Sequence, residues 1–258
     1  MYVTKYQKSG KLFEFSFYSS PFWRKSDTKE TREARKKLTD EAKKKINARN
    51  SKMSLARLIA LNFDRSSCKV ELTYNRDIGE RENAAILDKF HKLRRLRHKK
   101  RPYKYARTTE CHRKSGEPCQ LHNHLIITTP GGRRQLDQLR AEVREDWKRA
   151  AGELFGSISM ERLDDNIVDL AAYFCKEIKG YAKRRWTCSR NCTRPDKPVR
   201  RIVRDDAVFY GTPPGCTLID QRLEGNEFGK FGWVCCWIHD SRRFGKWLRS
   251  REKKLTAR

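Results

Sequence analysis

Strict alternation of apolar and polar side chains marks the clearest elements of this chain. In Cys68-Lys69-Val70-Glu71-Leu72-Thr73-Tyr74 every second residue is apolar or aromatic, which predicts a half-buried strand with Cys68, Val70, Leu72 and Tyr74 on one face. Phe13 to Tyr18 alternates in the same way. Leu121 to Thr129 is rich in apolar and β-branched residues and stops at Pro130-Gly131-Gly132, so it predicts a strand closed by a turn. Tyr103 to Glu110 predicts a short strand, and the loop Cys111 to Gln120 folds it back as a hairpin. Phe231 to His239 predicts a last strand. Helical spacing takes over elsewhere. Arg81 to His98 carries the stripe Ile86, Leu87, Phe90, Leu93 and Leu96. Gln135 to Phe155 carries Leu136, Leu139, Val143, Trp147, Ala150 and Leu154. Asn166 to Ala182 carries Ile167, Leu170, Ala171, Phe174, Ile178 and Tyr181. The order strand, helix, strand pair, helix predicts an α+β fold: an antiparallel sheet with helices on one face. Residues 24–54 are dense in charge and suit a long exposed helix. Residues 1–54 therefore read as a basic N-terminal extension, 55–240 as the folded domain, and 241–258 as a basic tail helix.

Charge adds a partner to this picture. The 258 residues hold 60 Lys and Arg against 32 Asp and Glu, a net charge of +28. An excess of that size, spread over the whole chain, points to a polyanion, and nucleic acid is the most economical choice. From Lys92 to Arg107 there are nine basic residues and no acid. Arg95, Arg97, Lys99, Lys100 and Arg101 are the expected phosphate contacts there. A second basic run follows Ala182, with Lys183, Arg184, Arg185 and Arg190. Trp186 sits among them, as a base-stacking platform or as a docked surface side chain. No membrane span is expected, because the longest strictly apolar run is Trp233 to Ile238 and a spanning helix needs about 20 residues. The first residues have no apolar secretory core, and nine cysteines, an odd number, read as reduced thiols of a cytosolic protein.

Candidate chemistry sits on the strand Leu121 to Thr129. His122 and His124 are two apart, so they point to the same face and can hold one metal ion through neutral ring nitrogens, while Asn123 points to the other. If the hairpin strands pair, Glu110 lies beside both histidines as a third ligand; Glu117, in the loop, is the competing carboxylate. A mixed imidazole and carboxylate site suits Mg²⁺ or Mn²⁺. Cys111, His112 and Cys119 match no common zinc spacing. On the helix from Asn166, Tyr173 lies outside the apolar arc and beside Lys176. Read alone, Tyr173 is an ordinary boundary tyrosine. Beside a metal site, its phenolate can attack a phosphodiester while Lys176 adds positive charge. No Gly-x-x-x-x-Gly-Lys-Ser/Thr P-loop is present, so no fused ATPase is expected.

These blocks, in this order, resemble the rolling-circle replication initiators of bacterial plasmids and phages, in the HUH endonuclease superfamily. The resemblance runs through Val70 to Tyr74, then Thr109-Glu110, Lys114 to Pro118 and His122 to Ile127, then Ala172-Tyr173-Phe174-Cys175-Lys176 as Tyr-x-x-Lys, and finally Arg185 to Asn191 with Pro195. It covers roughly Leu55 to Pro195. The resemblance implies a ferredoxin-like sheet with the tyrosine on a helix beside it. It further implies cleavage of single-stranded or hairpin origin DNA by Tyr173 through a 5′-phosphotyrosine, with His122, His124 and Glu110 holding a divalent ion, and a bacterial cytosolic setting with host replication machinery as partner. A transposase or relaxase of the same superfamily, or a basic DNA-binding protein without catalysis, are the alternatives. Polar Asn123 departs from the apolar residue usual between the two histidines.

Overall fold

The computed structural model describes residues 2–19, 40–99, 102–112, 118–129, 136–175, 185–204, 208–226 and 229–256. The chain is α+β, with two five-stranded antiparallel sheets among the described residues. It divides into two compact units, residues 46–193 and residues 1–45 with 194–258. This division departs from the expected boundaries. Residues 2–19 and residues 199–238 contribute strands to the same second sheet, and the expected tail helix, Ser241–Thr256, belongs to that unit.

The unit of residues 46–193 holds a sheet built from β3 (Cys68–Tyr74), β4 (Tyr105–His112), β5 (Pro118–Ile127), β6 (Phe155–Arg162) and β7 (Thr187–Cys188), in the order β6-β3-β5-β4-β7. Alternation in β3 and β5 sends Val70, Leu72, Tyr74, Leu121, Leu125 and Ile127 to one face. There they pack against Ile86, Leu87 and Phe90 of α2 (Glu80–Arg97) and Leu139, Val143 and Trp147 of α3 (Leu136–Ala151). Trp147 lies edge-on to Phe90 at 5.8 Å between ring centroids and tilted to Tyr74 at 5.2 Å. Full burial of a side chain such as Phe90 contributes roughly 1.5–3 kcal/mol.

Three departures from the pattern belong to this face. Leu96 is 52% exposed, and the position facing the core is Arg94, which is fully buried. Arg94 reaches Asp146 of α3 at 2.9 Å, so the charge is matched across the helix pair. Helix α3 ends at Ala151, and Phe155 opens strand β6 instead of closing the helix. Gly156 faces the backbone of Tyr74 at the irregularity between β3 and β6, where a β-carbon would lie 2.6 Å from the Tyr74 carbonyl. Asn123 is fully buried and satisfied: it donates to Asn83 Oδ1 at 2.7 Å and accepts from Thr109 Oγ1 at 2.7 Å. Tyr74 donates to the same Asn83 oxygen. The polar residue between the histidines thus ties α2 to three strands.

The opposite face of the sheet carries α4 (Ile167–Phe174), whose Ile167, Val168, Ala171 and Phe174 are buried. Residues from Ile46 onward of α1 (Asp40–Asn62) also belong to this unit. Ser51 of α1 meets the Cys175 thiol at 3.6 Å and accepts from the Trp186 indole at 3.1 Å, which fixes the chain on both sides of the segment following α4.

The other unit holds β1 (Tyr2–Ser9), β2 (Leu12–Ser19), β8 (Val199–Val203), β9 (Cys216–Asn226) and β10 (Gly229–Ile238), in the order β8-β1-β2-β10-β9. The alternating Phe13, Phe15 and Phe17 form its core with Ile238 and with Phe244 and Trp247 of α5 (Ser241–Thr256). Asp240 caps α5 by accepting from the backbone N–H groups of Arg242 and Arg243, both at 3.0 Å. Among the described residues no helix is long and apolar enough to cross a membrane.

Candidate active site

Register assembles the site. Glu110 pairs with His122 across β4 and β5, and Glu71 of β3 pairs with His124 across β3 and β5. Directly opposed residues share a face, so Glu71, Glu110, His122 and His124 all rise on the side away from α2 and α3. Glu110 Oε2 lies 3.2 Å from His124 Nε2 and 3.7 Å from His122 Nε2. Glu71 Oε2 lies 4.0 Å from the other ring nitrogen of His124. Each of Glu71, His122 and His124 offers a ligand atom within 4.8 Å of the others.

These donors fit a divalent ion. Ligand atoms at about 2.0–2.2 Å from one ion stand roughly 3–3.5 Å from each other, close to the spacings around Glu110. The tautomer of His122 agrees. Its Nδ1 donates to the Gln120 carbonyl at 2.9 Å, which leaves the Nε2 lone pair facing Glu110. Two carboxylates thus flank the histidine pair. Glu117 lies outside the described residues. Glu71 was not singled out in the sequence as a site residue, although alternation already placed it on the polar face of its strand.

Tyr173 stands over this cluster. Its Oη is 3.0 Å from His124 Nε2, and the two rings meet edge to face at 4.9 Å. The phenol is half-buried, and its pKa is pushed up to about 12, first by burial and then by the charges of Glu110, Glu71 and Glu161. At neutral pH it is a protonated phenol among carboxylates, and a cation at the histidine pair would oppose that effect. Lys69 of β3 places its ammonium 5.3 Å from the centre of the Tyr173 ring while pairing with Glu161 of β6 at 2.7 Å.

The remaining expected residues divide. Lys100, Arg101, Lys176, Lys183 and Arg184 lie outside the described residues. Arg95, Lys99 and Arg190 are exposed. Arg97 is not available as a phosphate contact: its guanidinium is held by Asp146 at 2.8 Å and Glu145 at 2.9 Å. The electrostatics agree, since those carboxylates hold the Arg97 pKa well above its ordinary value. Arg185 is half-buried and donates to the Cys175 carbonyl at 3.3 Å. Trp186 is half-buried and its indole N–H donates to Ser51, which agrees with a docked side chain and leaves the stacking expectation untested.

No family model and no curated protein matches the chain. Among solved structures it is similar to the N-terminal nuclease domain of non-structural protein-1 of minute virus of mice, described as having a unique Zn²⁺ coordination in its active-site pocket and a novel mode of DNA recognition at the origin of replication. The identity is 10% and the TM-score 0.26, over 63% of this chain and 79% of that chain.

Proposed function

We propose that this chain is a metal-dependent endonuclease and strand transferase for single-stranded DNA, acting as a rolling-circle replication initiator of the HUH superfamily with Tyr173 as its single nucleophile. The observation that carries this reading is the meeting of Tyr173 Oη, two histidine nitrogens and the Glu110 carboxylate within 3.0–3.7 Å steps on one sheet face. Packing alone does not call for a phenol, two imidazoles and two carboxylates there.

His122, His124 and Glu110 would hold a divalent ion, Mg²⁺ or Mn²⁺, with the Glu71 carboxylate close beside them. Bound there, the ion supplies Lewis-acid polarisation of the scissile phosphate. The chain's own residues do the rest. The Tyr173 oxygen forms a bond to phosphorus, the bond from phosphorus to O3′ breaks, the phenolic proton is lost, and the departing O3′ gains a proton. The 5′ end stays on Tyr173, and the free 3′-OH can prime synthesis. Reversal of the step rejoins the strand. Exposed Arg95, Lys99 and Arg190, with Lys183 and Arg184, supply phosphate contacts. The setting is a bacterial cytosol, with a helicase and replication proteins of the host.

The test is cleavage of labelled single-stranded origin DNA with Mn²⁺, with Mg²⁺ and with EDTA. The expected result is a protein–DNA adduct that survives denaturant with either ion and disappears with EDTA. Cleavage without an adduct would make water the nucleophile, and binding without either would leave a non-catalytic DNA-binding protein.

A further inference from the structure

Lys69 has a bland explanation that the structure allows to be weighed. It sits directly opposite Glu161 in the β3–β6 pairing, and opposite charges across strands stabilise a sheet by roughly 0.2–1 kcal/mol. A pair serving only the sheet has no need to lie over another side chain. Yet the Lys69 ammonium lies 5.3 Å from the centre of the Tyr173 ring, on the face that carries Glu71, Glu110, His122 and His124. The Lys69 side chain is 31% exposed against 63% for Glu161, so it is the more buried partner of the pair.

Charge explains what such a cation can do there. Glu71 and Glu110 stand beside His124 under the phenol, and Glu161 pairs with Lys69, so negative charge gathered there opposes the approach of a phosphodiester. One divalent ion at the histidine pair offsets two of those charges. A scissile phosphate adds another negative charge beside the ring. An ammonium over the ring face attracts the ring electrostatically and can offset the charge of a phosphate brought to the ring's oxygen.

From this we infer that Lys69 is a positioning residue for the nicking step: it holds the Tyr173 ring in its attacking orientation and offsets the phosphodiester's charge, with Glu161 fixing its own orientation. The inference rests on the proposed role of Tyr173. It is distinct from the Tyr-x-x-Lys lysine, which follows Tyr173 in sequence, whereas Lys69 comes from a strand more than a hundred residues earlier.

The experiment compares wild type, Lys69→Met and Lys69→Arg with Mn²⁺ and a labelled single-stranded origin oligonucleotide. Two quantities are read: oligonucleotide affinity by anisotropy, and the single-turnover rate of adduct formation at saturating oligonucleotide. Lys69→Met keeps the stem and removes the charge; it should lower the rate about 10- to 100-fold while affinity changes less than about threefold. Lys69→Arg keeps a cation over the ring and should recover most of that loss. A Lys69→Met rate equal to wild type overturns the inference and leaves the nucleophile reading intact. A loss confined to affinity also overturns it, because Lys69 would then be a general phosphate contact. Equal losses in Lys69→Met and Lys69→Arg would overturn it as well. A wild type that forms no adduct overturns the nucleophile reading itself, and this inference with it.

Discussion

The two faces of the β6-β3-β5-β4-β7 sheet are built from the same strands and have opposite characters. Toward α2 and α3, polar groups are few: Arg94 pairs with Asp146, and neutral Asn123 hydrogen-bonds Asn83 and Thr109. Toward α4, the same strands raise Glu71, Glu110, His122 and His124, gathered around Tyr173 with a surplus of negative charge. The difference is one residue of strand register. Adjacent positions such as Asn123 and His124 serve different ends because a strand turns successive side chains to opposite faces. One face is mainly apolar with a few paired polar groups; the other gathers two carboxylates, two imidazoles and a phenol.

The contrast predicts that the faces fail independently. His122→Ala strikes the chemical face: Mn²⁺ affinity should fall more than about 100-fold by calorimetry and adduct formation should vanish, while the urea midpoint barely moves. A large loss of stability instead would mean that this histidine is structural. Asp146→Ala strikes the packed face, removing the carboxylate 2.9 Å from the buried Arg94 guanidinium and leaving it only Glu142 at 4.0 Å. It should cost about 3–5 kcal/mol in urea unfolding, with adduct formation per folded molecule unchanged. Asn123→Ala lies at the seam; it removes one of the two donors to Asn83 Oδ1 and the acceptor of the Thr109 hydroxyl. A loss of about 1–3 kcal/mol is expected, and a mild additional loss of metal affinity would show that the packed face also holds the histidine strand in place.

The smallest effect is a pH dependence. His91 is buried, stacked on Tyr105 at 3.6 Å and hydrogen-bonded to Tyr103, and burial, with nearby Arg107 and Arg95, holds its pKa well below the ordinary 6.5. The unfolded chain therefore takes up a proton that the folded chain refuses. His91 contributes no penalty above about pH 6.5, and stability falls as pH drops below it, by at most about 1.4 kcal/mol per pH unit. His91→Phe should flatten that part of the urea-stability profile; an unchanged slope would locate the titration elsewhere.

Much of this contrast was legible in the sequence, because period-two alternation is a local signal. It placed His122 and His124 on one face and Asn123 on the other, and helical spacing set Tyr173 off its apolar stripe. The rest depends on pairings between residues distant in the chain. Arg97 read as a phosphate contact because its partner Asp146 lies on another helix, 49 residues away. Glu71 and Lys69 were plain polar positions until β5 and β6 were laid beside β3. Strand β6 was hidden because its first residue, Phe155, closes a helical stripe that includes Leu154. Its own alternation, Ile158 and Met160 against Ser157, Ser159 and Glu161, is short. The second sheet was missed because its strands come from both ends of the chain, and two of them, β8 and β9, are mostly exposed and carry little apolar pattern.

The central claim is that Tyr173 is the atom donor to DNA on the charged face. The most direct measurement is peptide mapping by mass spectrometry of the denaturant-stable adduct formed by wild type with Mn²⁺, run beside Tyr173→Phe. The account predicts one nucleotide-bearing peptide containing Tyr173, and no adduct at all from Tyr173→Phe with oligonucleotide binding retained. An adduct mapped to another residue, or one that persists in Tyr173→Phe, would contradict it.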